Sequence, residues 1–303
     1  PMPVAGEVLV KIKASGINPS DVKTRAGARG ELQFPKIIPH SDGSGEIIDV
    51  GEGVNKNRIG ERVWIWNGAF GRADGTCAEL IALPELQAVK INNEVSYNSA
   101  ACMGIPASTA YYGVLANGSV KNKTLLISGG AGAVGFYGIQ IAKLSGANVI
   151  TTISNDEKAK IANNAGADKI INYKNENVLE EIMEYTNNSG VDRIFEVEFG
   201  GNLPLNEKII KPNGVIAAYG SMAKMKPKLP FYNLMFKGVK IDTFLIYTIE
   251  NKFREEISTR LSELLNQNSL KHMISKTYSI DKIIDAHEAM ESGSMIGNIV
   301  IEI

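Results

Sequence analysis

Cysteine is nearly absent from this 303-residue chain. Cys77 and Cys102 are its whole complement, too few for a disulfide framework or a four-cysteine metal lobe, and the usage fits a reducing, cytosolic setting. A dominant charge is missing as well. The 32 basic and 33 acidic residues leave a formal net charge of -1, so no overall positive field draws the chain to nucleic acid or anionic lipid. Small-molecule partners are expected, and neither nucleic acid nor membrane. No run approaches the roughly 20 apolar residues of a membrane span, and residues 1–13 lack the charged-then-apolar order of a signal peptide. The opening on Pro1 rather than Met, with a strand entered by Glu7, reads as a chain from which some N-terminal residues are absent. Repeats and low-complexity segments are also lacking.

What is present, 44% hydrophobic and 21% charged residues, is the balance of an ordinary globular protein, of a length that predicts two domains. From Glu7 to Ile105 short apolar runs alternate with glycines, as in Gly6-Glu-Val-Leu-Val-Lys-Ile-Lys, Gly45-Glu-Ile-Ile-Asp-Val-Gly and Arg62-Val-Trp-Ile-Trp, an irregular β domain. Beyond Gly104 strands alternate with helical segments: Thr124-Leu-Leu-Ile-Ser, Ala147-Asn-Val-Ile-Thr-Thr-Ile, Val191-Asp-Arg-Ile-Phe-Glu-Val, Gly214-Val-Ile-Ala-Ala-Tyr-Gly and Val239-Lys-Ile-Asp-Thr-Phe-Leu-Ile. This predicts an α/β fold with a doubly wound parallel sheet. An amphipathic helix is expected from Val134 to Ser145, with Val134, Ile141 and Leu144 on its apolar face and Gly146 as its stop. A charged helix through Glu256 and Arg260, then Ile283 to Met290 and a last strand from Gly297, are expected to complete the first domain. The domains are thus drawn as 1–105 with 251–303, and 106–250.

After the strand ending at Ser128 comes Gly130-Ala131-Gly132-Ala133-Val134-Gly135, a GxGxxG run between a strand and a helix. The first glycine would allow a tight turn, the second the approach of a pyrophosphate, and the third close packing of the helix. The amides of Gly132, Ala133 and Val134 would face the anion, aided by the helix dipole. The competing reading, a glycine-rich loop without a ligand, is weakened by the flanking elements. At the end of the next strand stands Ser154, where an NAD enzyme usually carries an acidic residue. A small side chain leaves room for a 2′-phosphate, and Lys158 supplies charge. This favours NADPH, against the competing readings in which Asp156 turns inward or Lys158 is an ordinary solvated lysine.

These residues resemble the zinc-free quinone oxidoreductase (zeta-crystallin-like) branch of the medium-chain dehydrogenase/reductase superfamily. The resemblance covers essentially the whole chain and rests on Gly16-Ile-Asn-Pro-Ser-Asp, Ser41-Asp-Gly-Ser-Gly with Val50-Gly-Glu-Gly-Val, Gly60-Glu-Arg-Val, Gly104-Ile-Pro-Ala-Ser-Thr-Ala-Tyr-Tyr, the glycine turn and Ala286-His-Glu. It implies a GroES-like β domain closed by the C-terminal tail, a Rossmann domain, NADPH in the cleft between them and a homodimer, with the strand Val239 to Ile246 as a dimer edge. It assigns adenine-side contacts to Ser154, Lys158 and Tyr173, and further cofactor contacts to Asn202, to Tyr219, Gly220 and Ser221, and to Phe244, Leu245 and Ile246.

Zinc-dependent relatives carry a cysteine where this chain has Asn18, a histidine where it has Ser41 and a further cysteine near Ile105. No zinc site is therefore expected. His40 is read as solvent-exposed or loop-supporting, and His287 as a structural residue of a helix. Without a Lewis acid an unactivated ketone is a poor acceptor, whereas quinones and enones spread the incoming charge over their conjugation and need only hydrogen-bond donors and correct positioning. Asn18 is the first candidate for a donor to substrate or nicotinamide, against a role in starting a turn before Pro19. Thr109 is the second, for the nicotinamide amide, against bonding its own helix. Lys23 replaces a tyrosine common in relatives and either donates to substrate or points to solvent; Tyr111 and Tyr112 supply nearby phenols or merely pack. The function expected is an NADPH-dependent quinone or enone reductase. An enoyl-thioester or alkenal reductase, and a non-catalytic NADPH- or RNA-binding protein, are the alternatives.

Overall fold

The apolar alternation that opens the chain forms β1 (Glu7–Ile17), whose Val8, Val10, Ile12 and Ala14 are buried on one face, as the two-residue side-chain period requires. Four strands follow: β2 (Asp42–Val50), β3 (Arg62–Ile65), β4 (Leu80–Pro84) and β5 (Ala88–Lys90). β1 is the hub, pairing antiparallel with β2, with β4 and with the last strand, β13 (Asn298–Glu302). β12 (Ile274–Ser279) runs parallel to β13, giving the order β12-β13-β1-β2-β3-β5 with β4 attached to β1. Val10, Ile12, Ile47, Val63, Ile81 and Leu83 form the core, each large side chain contributing roughly 1.5–3 kcal/mol by burial. The computed structural model describes residues 1–28, 30–293 and 295–303. This first unit comprises Pro1–Ser108 and Arg254–Ile303 and includes the short helices α1 (Pro19–Arg25) and α2 (Tyr97–Ala100). The tail docks through apolar contacts: helix α10 (Ile283–Glu291) brings Ala286 against Ile17, Val22, Ile299 and Ile301.

The second unit, Thr109–Phe253, is built on β6 (Thr124–Ile127), β7 (Asn148–Ile153), β8 (Lys169–Asn172), β9 (Val191–Glu196), β10 (Ile210–Ala218) and β11 (Lys240–Thr243). All pair in parallel, in the order β11-β10-β9-β6-β7-β8. Their near-continuous apolar runs, such as Leu125-Leu126-Ile127, are buried on both faces, the mark of a parallel sheet covered by helices. The helices are α3 (Ser108–Leu115), α4 (Ala133–Leu144), α5 (Asp156–Ala165), α6 (Val178–Tyr185), α7 (Phe199–Ile209) and α8 (Phe231–Phe236); α9 (Asn251–Asn266) leads on into the tail. The switch in strand order between β6 and β9 gives the Rossmann-type doubly wound arrangement.

Helix α4 departs from expectation. It is not amphipathic: every residue from Gly135 to Ala142 is buried, whereas Leu144, assigned to the apolar face, is exposed. The helix is covered by α5 as well as by the sheet, so its period carries no solvent face. Gly146, at φ 81°, ends it, because the left-handed position after a helix suits glycine. Buried Arg193 on β9 donates to the carbonyls of Val114, Asn117 and Gly118, so the terminal carbonyls of α3 and the loop after it, at the negative end of that helix, help to compensate its charge, and Asp242 acts on it in the same sense. Among the described residues no helix is long and apolar enough to cross a membrane.

Candidate functional site

The glycine turn joins β6 to α4 at the carboxyl end of the parallel sheet, and its glycines divide their work differently from the expected order. The left-handed residue is Gly129, at φ 70°, outside the six-residue motif. Gly130 lacks a side chain because a Cβ there would overlap Thr151 Oγ1, and Gly135 because a Cβ would overlap the Gly129 carbonyl oxygen. Gly132 alone faces outward: it is exposed, and a Cβ would meet nothing nearer than 3.4 Å. Its amide does not point at a ligand, since it donates to the Gly129 carbonyl at 3.0 Å. The amides left to meet an anion are those of Ala133, Val134 and Gly135, the first turn of α4, for which no carbonyl exists within their own helix. Ala131 is buried beneath the turn. This cradle fits a dinucleotide pyrophosphate.

On the β7–β8 side the predicted adenine contacts come together. Lys158, in the first turn of α5, reaches back so that Nζ lies 3.2 Å from Ser154 Oγ. Asn155 caps that helix, its side chain accepting from the Lys158 amide at 2.9 Å, while Asp156 is exposed and has not turned inward. The Tyr173 amide donates to the Ile153 carbonyl at 3.1 Å, which brings the backbone of this exposed residue beside the end of β7, next to Ser154 in sequence.

On the other side of the switch, Tyr219, Gly220 and Ser221 follow β10. Ser221 Oγ accepts from the Gly200 amide and donates to the Lys224 carbonyl, and a Cβ on Gly220 would overlap the Val197 carbonyl. Tyr219 is half-buried between Phe195 (4.8 Å) and Phe244 (6.2 Å); burial, then the charge of Glu196, raises its phenol. Phe244 packs on Tyr112 at 4.7 Å, and Tyr112 also meets Phe253 at 5.3 Å, so Tyr112 is a packing residue. Leu245 is exposed and Ile246 buried. Thr109 is buried in the first turn of α3, and the bond back into the preceding turn comes from its neighbour, Ser108 Oγ to the Met103 carbonyl at 2.8 Å. The Thr109 hydroxyl bonds no described residue.

Two carboxylates that sequence reasoning passed over organise this end. Glu196, fully buried at the end of β9, receives the Asn202 amide at 3.0 Å. Asn202 is thus held from below. Glu198 accepts the backbone amides of Gly201, Met222, Ala223 and Lys224. Burial alone would raise its carboxyl, but those four amides outweigh burial and lower it, fixing the loop after Ser221. Neither residue belongs to a named motif, and only the parallel register brings them to the strand ends.

In the first unit Asn18 starts α1, its backbone amide donating to Asp21 Oδ2 at 2.8 Å. Its side-chain Nδ2 donates to Asp42 Oδ2 at 2.8 Å, so one of the expected donor's two amide hydrogens is already spent. Asp42 is a further residue missed in sequence. It is fully buried, which pushes its carboxyl well above the usual range. Oδ2 also takes the Ile105 amide at 3.0 Å, while Oδ1 takes no bond, as in a neutral acid with a carbonyl-like Oδ2. Lys23 lies half-buried on α1. Cys102 is buried, and burial pushes the Cys77 thiol up to about 11.

His40 is not solvent-exposed: it has no accessible surface, and it supports its loop at φ 76°. The His40 and His287 Nε2 atoms lie 2.8 Å apart, His40 Nδ1 meets Ser15 Oγ at 2.9 Å, Ser15 meets Thr76 Oγ1 at 2.8 Å, and Thr76 donates to the Asp42 carbonyl at 2.6 Å. Working back from that carbonyl fixes the protons: Thr76 donates to it, Ser15 to Thr76, His40 Nδ1 to Ser15, and His287 Nε2 to His40 Nε2. Both imidazoles are neutral, and the chain ties the tail helix to the loop before β2. Among the described residues no group of three His, Cys, Asp or Glu is placed to hold a metal ion. At the positions of the zinc ligands stand an amide already bonded to Asp42, a buried Ser41 and the aliphatic Ile105. This donor set does not fit zinc.

A Rossmann-type unit with a pyrophosphate cradle, joined to an antiparallel β unit that the chain's own tail completes, defines a dinucleotide-linked oxidoreductase. Residues 4–93 match the alcohol dehydrogenase GroES-like domain and residues 133–265 the zinc-binding dehydrogenase domain. Human quinone oxidoreductase is 26% identical over 297 residues, 97% of this chain and 88% of that one. The structure of Escherichia coli quinone oxidoreductase complexed with NADPH superposes over 100% of this chain and 94% of its own, with a TM-score of 0.87 at 24% identity. An alcohol dehydrogenase superfamily protein from Novosphingobium aromaticivorans does so over 100% and 93%, with a TM-score of 0.88 at 26% identity. The chain thus carries the GroES-like and zinc-binding dehydrogenase domains of the alcohol dehydrogenase type, and it is similar to the quinone oxidoreductase branch of the medium-chain dehydrogenase/reductase superfamily.

Proposed function

We propose that this oxidoreductase is an NADPH-dependent reductase that passes a hydride to a quinone or enone. The observation that carries the reading is Lys158 Nζ at 3.2 Å from Ser154 Oγ, beside the glycine cradle and with Asp156 directed to solvent. A cation and a hydroxyl where an acidic residue would serve NADH suit a 2′-phosphate. The human relative named quinone oxidoreductase and the NADPH complex of the Escherichia coli enzyme support it.

When bound, NADPH supplies the hydride. The amides of Ala133, Val134 and Gly135 bind its pyrophosphate, Ser154 and Lys158 its 2′-phosphate, and Tyr173 flanks the adenine. Tyr219, Gly220 and Ser221 with Phe244, Leu245 and Ile246 would line the nicotinamide half, and the Thr109 hydroxyl would serve its carboxamide. Asn18, its amide oriented by Asp42, and Lys23 contact the acceptor, whose conjugation and hydrogen-bonded oxygen carry the incoming charge. The test is NADPH and NADH oxidation with 1,4-benzoquinone, 9,10-phenanthrenequinone and a 2-enoyl-CoA, each with and without chelator. NADPH-selective, chelator-insensitive quinone reduction is expected. Preference for the enoyl thioester would move the assignment to a double-bond reductase, and no turnover of any acceptor would count against it.

The same reading includes a homodimer that pairs through β11, the outer strand of its sheet, next in sequence to α8 with its exposed Phe231, Tyr232 and Phe236. Sedimentation equilibrium should give twice the chain mass; a monomer at micromolar concentration would refute it.

A further inference from the structure

Glu196 stands out as a buried anion with no ion-pair partner among the described residues. Its Oε2 accepts from Ser128 Oγ at 3.0 Å and Asn206 Nδ2 at 2.8 Å, and its Oε1 from Asn202 Nδ2 at 3.0 Å and the Glu198 amide at 2.8 Å. Each oxygen takes two donors and offers none, the pattern of an ionised carboxylate. All four donors are neutral, and among the described residues no ion pair includes Glu196. A fully buried charge without a counter-charge is costly. It persists here at the carboxyl end of β9, beside the point where the strand order switches, which is where ligands of such sheets lie. Lys158 and Ser154 mark the β7–β8 side for the adenosine half, so the other half extends over β9 and β10, above Glu196.

We infer that Glu196 is the counter-charge to the oxidised nicotinamide, an inference that rests on the proposed NADPH reading. Hydride leaves with its electron pair, so the neutral dihydronicotinamide becomes a cation while the acceptor gains the pair and later a proton from solvent. A fixed carboxylate beneath the ring favours the cationic product over the neutral reactant and acts through its hydrogen-bonded partners Asn202 and Ser128, without itself touching the nucleotide. It is a positioning and charge-compensating residue. A residue that merely braced Asn202 would influence both cofactor forms alike.

The two roles separate in the ratio of Kd for NADP+ to Kd for NADPH, read by fluorescence titration without any acceptor. Glu196→Gln preserves the shape: Ser128 rotates to accept, and Asn206 turns over to offer its Oδ1, which bonds nothing in the native protein. The ratio is expected to rise roughly tenfold, the interaction of one charge across about 12 Å at an effective dielectric near 20. Glu196→Asp should keep the native ratio even if both affinities fall. The exchange Glu196→Gln with Asn206→Asp returns the charge to the cluster and should restore the ratio, which keeps the inference testable if the single variant does not fold. Equal weakening of both forms in Glu196→Gln, or a tenfold shift in the exchange variant, overturns it. Native protein that binds neither nucleotide would instead remove the NADPH reading, and the inference with it.

Discussion

Lys158→Ala is expected to weaken NADPH binding by roughly ten- to hundredfold and leave NADH nearly unchanged, the loss of about 1.5–3 kcal/mol typical of a hydrogen bond to a charged group. The expectation comes from the geometry at the end of β7. Lys158 is drawn back to 3.2 Å from Ser154 Oγ, and its backbone is fixed by the Asn155 cap at 2.9 Å, so little side-chain freedom is lost when a phosphate arrives. The amino end of α5 adds the positive pole of its dipole. Titration of intrinsic fluorescence with both nucleotides at two ionic strengths would read the effect, and salt should weaken NADPH binding more in the native protein than in the variant. Equal losses for NADPH and NADH would assign Lys158 to helix stability instead.

Acid should destabilise the first unit through the buried histidines. Burial first, and the neighbouring His287 second, lower His40 from 6.5 to about 3; burial, with Arg25 nearby, lowers His287, while Glu291 opposes. An unfolded His40 binds a proton near pH 6.5, and the folded one refuses it until about pH 3. Its contribution is therefore complete above 6.5 and is lost as the pH falls, by about 2 kcal/mol at pH 5. Asp42 works in the opposite sense, because its raised carboxyl favours the fold as protons are added, so the comparison needs a variant that removes only the imidazole. Asn tolerates the φ of 76° at position 40. Unfolding free energies from urea titration at pH 7.5 and 5 should differ by about 2 kcal/mol less in His40→Asn than in the native protein. An unchanged acid slope would exclude the pair as its source.

Much of this was legible in the residues themselves. The strands beginning at Glu7, Thr124 and Val191 carry their apolar residues in unbroken or alternating runs, and the GxGxxG run lies where a strand hands over to a helix. β12 was not legible, because none of its six residues is fully buried and an edge strand with two wet faces shows no hydrophobic period. The helix expected to be amphipathic proved buried all round, since its glycines and apolar residues face a second helix as well as the sheet. His40, Asp42 and Glu196 escaped for a common reason: polar residues buried by distant partners carry no local signature.

The sequence by itself determined the two fold types, the cradle for a pyrophosphate and the pairing of Ser154 with Lys158, because each depends on neighbours a few residues apart and on the periods of strand and helix. Only the tertiary structure decided which amides of the glycine turn are left without a carbonyl, which proton sits between His40 and His287, what holds Asn18, and where a carboxylate lies buried with no ion pair among the described residues. Those depend on groups brought together across as many as 247 residues, and burial, which sets their charge and hydrogen bonding, exists only once the chain has closed around them.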